Sequence, residues 1–325
     1  MKTILNLPTD PYYNLALMEY LLKHHKDTFI LVFENANTII VGRNQNTYEV
    51  VNDAFVQTHQ TKVIRRISGG GTVYQDIGNI NFVYITELKD NLNDFNKFTL
   101  PVITLLKTYG VQAEFKGRND IEVDGYKVSG NAQTAYKNRM MHGGTLLYDL
   151  DLDKASDALH VDEEKYSSKG IKSNRARVMN LKPLLSEEIP ISVLKAQLLK
   201  HILNTENIEA HAYTLTLKDE KHIQTLMKEK YLTWRWNYGL SPKHNSIKQK
   251  RFKKGLLSAY MLIQKGCIKE IKFYSDGLNL DNIELVESLL KGTPYEKALV
   301  EEKLLEYTTF GVFTKNDILA CLFDE

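Results

Sequence analysis

Cysteine is nearly missing: two occur in 325 residues, Cys267 and Cys321, both late in the chain. Two thiols cannot staple a fold of this size, and they lack metal-ligand spacing, which excludes a disulfide scaffold and a cysteine zinc site and points to a reduced, intracellular setting. An excess of either charge is missing too. Lys plus Arg total 42 against 40 Asp plus Glu, a net charge of +2, so no general attraction to nucleic acid or membrane follows. No run of about 18 apolar residues occurs, and no transmembrane helix is expected. The apolar start of MKTILNLPTDPYYN is too short for a signal peptide and is broken by Pro8, Asp10 and Pro11. The expectation is a cytoplasmic protein. With 43% hydrophobic and 25% charged residues the chain is globular, and its length favours one large domain plus a smaller one.

What is present reads as short strands with interspersed helices. Asp10 can cap a helix and Pro11 tolerates its first position, while Leu15, Met18, Leu21 and Leu22 recur at helical spacing, which predicts a helix over 11–25. Two apolar runs at 29–33 and 38–41, split by Glu34-Asn35-Ala36-Asn37, read as a β-hairpin. Residues 63–64, 80–85 and 145–148 add strands. A helix is expected near 99–109, closed by Gly110, with Pro101 in its first turn or at a kink. Helical character returns at 191–203 and 216–230. The polar stretch GLSPKHNSIKQK (239–250) is the linker candidate. Beyond it, 256–263 and 268–274 read as strands, and 282–290 and 295–307 as helices. The expected division is 1–242 and 251–325, with a linker at 243–250, both parts α+β.

Glycine is scarce, at 18 residues, yet three stand in a row within RRISGGGTVYQD (65–76). A glycine triplet weakens any strand or helix. A loop whose backbone N–H groups approach phosphate or carboxylate oxygens would explain it, with Arg65 and Arg66 adding charge and paired donors; a tight turn beside two solvated arginines is the alternative. Neither GxxxxGK[ST] nor GxGxxG is present. A second cluster is Gly117-Arg118-Asn119-Asp120 followed by Lys127-Val128-Ser129-Gly130-Asn131, with Asp124-Gly125 between them as a two-residue hairpin turn. That turn sets Asp120 and Lys127 on adjacent strands. There a carboxylate can hold Mg²⁺ and an ammonium can neutralise a phosphate, or the two form a plain cross-strand ion pair. His142-Gly143-Gly144-Thr145 is a third cluster. The fourth, 169–178, carries Lys169, Lys172, Arg175 and Arg177 without an acid, and reads as a loop that closes on an anion or as a solvated basic loop.

Together RRISGGGTVYQD (65–76), GRND (117–120), KVSGNA (127–132), HGGTLL (142–147) and KGIKSNRARVMNL (169–181) resemble the lipoate–protein ligase A family in residues, order and spacing. The resemblance runs from the helix PYYNLALMEYLL to a segment at 254–276 similar to the family's accessory domain. It implies an α+β catalytic domain of the biotin/lipoyl ligase superfamily, built around a large mixed sheet, and a small α+β C-terminal domain. The activity it implies has two steps. Lipoate and ATP give lipoyl-adenylate and pyrophosphate, and the lipoyl group then passes to a lysine of a lipoyl domain. ATP and Mg²⁺ are the implied cofactors. The implied partners are lipoyl domains of 2-oxoacid dehydrogenase complexes and the glycine cleavage H protein, with neither membrane nor nucleic acid.

Carried onto this sequence, the resemblance makes Lys127 the catalytic cation and Asp120 the Mg²⁺ ligand. Arg66, Ser68, Gly69, Gly70, Gly71, Thr72, Val73 and Tyr74 would follow the substrates and nucleotide, with Asn79, Asn119, Ser129, Gly130, Ala132, Gly144 and Thr145. Lys169, Gly170, Ser173 and Arg177 would form an adenylate loop. Two positions depart from the family. Gln75 stands where a His is common, and cannot titrate; Gly143 stands where a second His is common, while His142 is kept. Two other functions compete. An octanoyl- or lipoyl-transferase of the same superfamily carries its acyl group on a cysteine, but Cys267 and Cys321 fall in the predicted small domain. A nucleic-acid binder built on Lys243, Lys248, Lys250, Arg251, Lys253 and Lys254 lacks any RNA motif.

Overall fold

The computed structural model describes residues 1–159, 178–240, 246–276, 280, 282–305 and 309–323. Two compact units divide the chain. Met1–Ile40, Val51–Ile64 and Val73–Thr233 make the first; Val41–Val50, Arg65–Thr72 and Trp234–Glu325 make the second.

The first unit is built on β1 (Phe29–Phe33), on β2 (Thr38–Val41) and β3 (Lys62–Arg65), the last residue of β2 and of β3 counted in the second unit, and on β4 (Val73–Gln75), β5 (Asn79–Glu87), β6 (Glu114–Lys116), β7 (Asp120–Val123), β8 (Tyr126–Tyr136) and β9 (Arg139–Leu147). The order β1-β5-β9-β8-β7-β6 makes a six-stranded sheet, and β3-β2-β4 a smaller one. The ladders of the large sheet are antiparallel. Parallel pairing enters at isolated bridges such as Lys2↔Phe29 and Lys127↔Val178. The expected α+β architecture on one large sheet is therefore found, with less parallel character than a mixed sheet implies. The hairpin expected of 29–33 and 38–41 does not form. β1 pairs with β5, setting Phe29 opposite Ile85, and β2 pairs with β4, setting Thr38 opposite Gln75. Both runs are buried along their whole length, so neither carries an alternation that would name its partner.

Asp10 caps helix Pro11–His24 by accepting from the Tyr12 N–H at 3.2 Å. Helix Phe95–Thr108 starts earlier than its apolar spacing indicates, because Asp94 caps it through the Lys97 N–H (3.1 Å) and Phe95 and Phe98 are buried. Pro101 thus lies inside the helix and not in its first turn. Gly110 follows its end at φ 81°. This helix and helix Ile191–Leu203 supply Val102, Leu106, Leu194 and Leu198 to a core shared with Phe82, Ile121, Val128 and Met140 of the sheet. At the tip of β7–β8, Asp124 and Gly125 hold φ of 53° and 78°, the two positive values of a type I′ turn.

The second unit holds β10 (Ser246–Phe252), β11 (Gly255–Gln264) and β12 (Cys267–Ser275) as an antiparallel meander, and the short pair β13 (Thr309–Phe310) and β14 (Phe313–Thr314). Residues 246–250, expected as the end of a linker, are strand: Ser246 faces Met261 and Lys250 faces Leu257. Their alternation was hidden under a polar composition. Helices Ile283–Leu290, Lys297–Lys303 and Lys315–Phe323 complete the unit, the third of them unanticipated, around Leu257, Met261, Val286, Val300, Phe310 and Ile318. Among the described residues no helix is long and apolar enough to cross a membrane.

Candidate active site

In the first unit the β7–β8 hairpin brings the second motif cluster together. Lys127 Nζ lies 2.8 Å from Asp120 Oδ1, each side chain about one quarter exposed (27% and 26%). A bulge between Ile121 and Glu122 shifts the register so that Asp120 faces Gly130. Gly130 is what lets the lysine lie there: a Cβ on it would stand 3.0 Å from both Lys127 Cε and Nζ. The Gly130 N–H donates to Thr145 Oγ1 (3.2 Å), and the Thr145 hydroxyl reaches back to the Gly130 carbonyl (3.3 Å), tying β8 to β9. Asn119 donates its side-chain amide to the Asn131 carbonyl at 2.6 Å. Ala132 pairs with Gly143, and Ser129 is fully buried opposite Ile121. Asp120, Lys127, Ser129, Gly130, Ala132, Gly144 and Thr145 are thus gathered on three adjacent strands, with Asn119 in the turn that leads into β7.

Gly144 sits between Phe82 of β5 and Asn131 of β8, where a Cβ would lie 2.1 Å from Phe82 Cζ and 2.4 Å from Asn131 Oδ1. Asn79, at the start of β5, is 1% exposed and neither of its amide atoms has a hydrogen-bond partner among the described residues. Val73 and Tyr74 lie on β4, Tyr74 with its ring buried against Phe55. Gln75 beside it takes no part in acid–base chemistry. Its Oε1 accepts from Asn35 Nδ2 (2.8 Å) and its Nε2 donates to Asn81 Oδ1 (2.8 Å), inside a buried chain of amides that starts at Asn14. Gly143 has only Val83 Cγ2 near its missing Cβ, at 3.9 Å.

In the second unit the triple-glycine loop is shaped by its own arginine. Arg66 donates from Nε to Ser68 Oγ (3.1 Å) and from Nη2 to the Gly69 and Gly71 carbonyls (2.7 Å each). Burial, with neighbouring Arg65 adding to it, lowers its pKa to about 10, so it stays charged at neutral pH. Gly70 holds φ 91°, and its carbonyl oxygen stands 2.0 Å from where a Cβ on Gly42 would be, so both positions require glycine. Thr72 closes the loop on Gln45 Oε1 at 2.7 Å. Gly71 is exposed with nothing within 4 Å of its Cβ position. Arg65 does not offer donors to a ligand as expected. Its side chain is fully buried and spends its N–H groups on the carbonyls of Gly42, Arg43, Gln45, Trp236 and Asn237 and on Thr47 Oγ1. Burial lowers its pKa to about 10 as well.

Residues 10–203 match the family model of the lipoyl protein ligase A/B catalytic domain, and 241–322 that of the bacterial lipoate protein ligase C-terminus. Lipoate-protein ligase LplJ of Bacillus subtilis is 41% identical over 321 residues, 97% of each chain. The chain belongs to the lipoate–protein ligase family. Lipoate–protein ligase 1 of Staphylococcus aureus is also 41% identical, over 94% of this chain and 93% of its own. Among solved structures, P. falciparum LipL1 in complex with lipoate superposes with a TM-score of 0.79 over 100% of this chain and 99% of that one, at 24% identity, a likeness of fold. A structure from the archaeal lipoylation system of Thermoplasma acidophilum, described as a bipartite lipoate protein ligase and its E2 lipoyl domain, gives a TM-score of 0.63 at 25% identity over 75% of this chain and 98% of that one.

The protein is thus an enzyme, a lipoate–protein ligase, and both of its cysteines lie in the second unit. Cys321 is buried, donates to the Leu257 carbonyl (3.3 Å), and burial raises its thiol to about 12; Cys267 is on β12. A buried thiol held protonated is a poor nucleophile, which speaks against Cys321 as an acyl carrier. No group of three or more His, Cys, Asp or Glu able to hold a metal occurs among the described residues. A single carboxylate such as Asp120 still suits Mg²⁺, which binds through one or two carboxylates and substrate phosphates. Lys169, Gly170, Ser173 and Arg177 lie outside the described residues. The reading of motifs missed Gly42, which only the scarcity of glycine in this sequence could have flagged, and Gln133, which carries no local signal; Asn131 falls within a motif but without an assigned role.

Proposed function

We propose that this ligase forms lipoyl-adenylate with Lys127 as its central cation, then passes the lipoyl group to a lysine of a lipoyl domain. The observation that carries the reading is the Lys127–Asp120 pair, a compact cation and a carboxylate 2.8 Å apart over a residue with no side chain. In the first step a lipoate carboxylate oxygen attacks the α-phosphorus of ATP. The new O–P bond forms as the bond to the bridging oxygen breaks, and pyrophosphate leaves. Both reactants are anions. Lys127 lowers their repulsion and stabilises the charge that develops. Asp120 would hold Mg²⁺, which when bound neutralises phosphate charge. Asn79 would satisfy its open amide on substrate.

In the second step the acceptor's neutral lysine amine attacks the acyl carbon. The C–N bond forms, AMP leaves with the electron pair of the C–O bond, and the amine sheds a proton. AMP is already a good leaving group, so no protein nucleophile is required. Lipoyl domains of 2-oxoacid dehydrogenases and the glycine cleavage H protein are the acceptors we assign, in a cytoplasmic setting that supplies ATP. The test is to mix protein, ATP, Mg²⁺ and lipoate with each acceptor and read the acceptor's mass. A lipoyl increment that depends on ATP supports the assignment. Acyl transfer from an acyl-carrier protein without ATP would overturn it.

A further inference from the structure

His142 stands at the middle of a hydrogen-bonded chain that ends beside the Lys127–Asp120 pair. His142 lies on β9, fully buried, with its ring stacked on Phe98 (centroids 4.8 Å apart) and edge-on to Phe95 (5.6 Å). Both ring nitrogens are used. Gln133 Nε2 is 3.1 Å from Nδ1, and Asn131 Oδ1 is 3.2 Å from Nε2. The directions of these bonds are set by backbone groups at the two ends of the chain. The Asn93 N–H donates to Gln133 Oε1 (2.7 Å), which turns the Gln133 amino group toward the ring. The Asn119 carbonyl accepts from Asn131 Nδ2 (3.1 Å), as does Ser129 Oγ (3.2 Å), which turns Asn131 Oδ1 toward the ring. An amino group only donates and an amide oxygen only accepts, so Nδ1 must accept and Nε2 must carry the proton. Desolvation drives the pKa down to about 3, in keeping with a ring that has a donor facing Nδ1.

The far end of this chain is the start of β7. Asn131 N–H donates to the Asn119 carbonyl at 2.9 Å and Asn119 Nδ2 returns to the Asn131 carbonyl at 2.6 Å, so Asn119 and Asn131 are locked together by backbone and side chain. Asp120 and Gly130, their immediate neighbours, are the register pair over which Lys127 lies. We propose that His142 is a positioning residue, which through Asn131 holds Asn119 and hence sets Asp120 and Lys127 for adenylate formation. The inference rests on the assignment of Lys127 as the central cation. Gly144 belongs to the same device, since its missing Cβ is what leaves room for Asn131 Oδ1.

The experiment compares His142→Phe, His142→Gln and Lys127→Ala by pyrophosphate release with lipoate and MgATP. Phe keeps a ring among Phe95 and Phe98 but cannot hydrogen-bond. Gln keeps one donor and one acceptor. His142→Phe is expected to lower kcat at least tenfold with KM for lipoate and ATP within threefold, and His142→Gln to recover to within about threefold of the parent. In the Lys127→Ala background, His142→Phe is expected to add less than twofold. A parental kcat for His142→Phe, where Lys127→Ala is impaired, overturns this proposal alone. A parental rate for Lys127→Ala removes the assignment of Lys127, and the proposal falls with it. Should His142→Phe fail to fold, the ¹⁵N spectrum of the parent decides: a proton on Nε2 supports the network, and a proton on Nδ1 overturns it.

Discussion

Lys127→Ala separates a catalytic cation from an ordinary surface pair, because the two roles predict losses of different size. As a structural pair, Lys127 and Asp120 are each about one quarter exposed, and such a contact contributes at most about 1 kcal/mol to stability. The backbone of Lys127 keeps its own work in the variant, since its carbonyl still accepts the Met179 N–H. The fold is therefore expected to melt within a few degrees of the parent. As a positioned donor to developing phosphate charge, the same ammonium contributes roughly 10² to 10³ in rate, about 2.7–4 kcal/mol. Gly130→Ala provides a second route to the same group without removing it. Its Cβ would press on Lys127 Cε and Nζ at 3.0 Å, and the flexible end of the lysine has to move by a few tenths of an ångström. We expect about a tenfold loss in adenylate formation, below the roughly hundredfold cost of a 1 Å misplacement. Gly130→Ala acts through Lys127, so in the Lys127→Ala background it should cost less than about twofold. The assay is pyrophosphate release from lipoate and MgATP, beside a thermal melt. A Lys127→Ala protein that retains more than about a tenth of the parental rate has lost under roughly 1.4 kcal/mol, and that result would refute the reasoning.

Four further outcomes are expected. Gly42→Ala sets a methyl 2.0 Å from the Gly70 carbonyl oxygen, which cannot move without its backbone, and should lower both the melting temperature and activity; Gly71→Ala meets nothing within 4 Å and should leave the melt unchanged while raising KM for ATP or lipoate, and a parental KM would show that no ligand approaches there. His142 has its pKa lowered from 6.5 to about 3, so below pH 6.5 the unfolded chain takes up a proton that the folded one refuses. The stability from this group is complete above pH 6.5 and is lost as pH falls from 6.5 toward 3, at up to about 1.4 kcal/mol per pH unit. His142→Gln should accordingly lose fewer degrees than the parent between pH 7.5 and 5; equal losses would count against it. Cys267→Ser with Cys321→Ser should leave ligation within a few-fold of the parent, and an acylated cysteine found by mass spectrometry would contradict that.

Local features are legible in the sequence where one or two residues decide the geometry. Asp124-Gly125 suits a turn with two positive φ values, and that dipeptide alone is enough to set Asp120 and Lys127 on adjacent strands. Asp10 with Pro11 announces the first helix in the same way, and a glycine triplet in a glycine-poor chain marks its loop. Long-range choices are not legible. The all-buried runs at 29–33 and 38–41 give no hint that one pairs with β5 and the other with β4, because such a run accepts any apolar neighbour. Adjacent Arg65 and Arg66 look alike in sequence; only folding decides that one is consumed by buried carbonyls while the other braces the glycine loop. The chain from Asn93 through Gln133, His142 and Asn131 to Asn119 joins residues spread over about fifty positions. Hydrogen bonds between side chains on neighbouring strands depend on register, and register is fixed by the packing of the whole sheet.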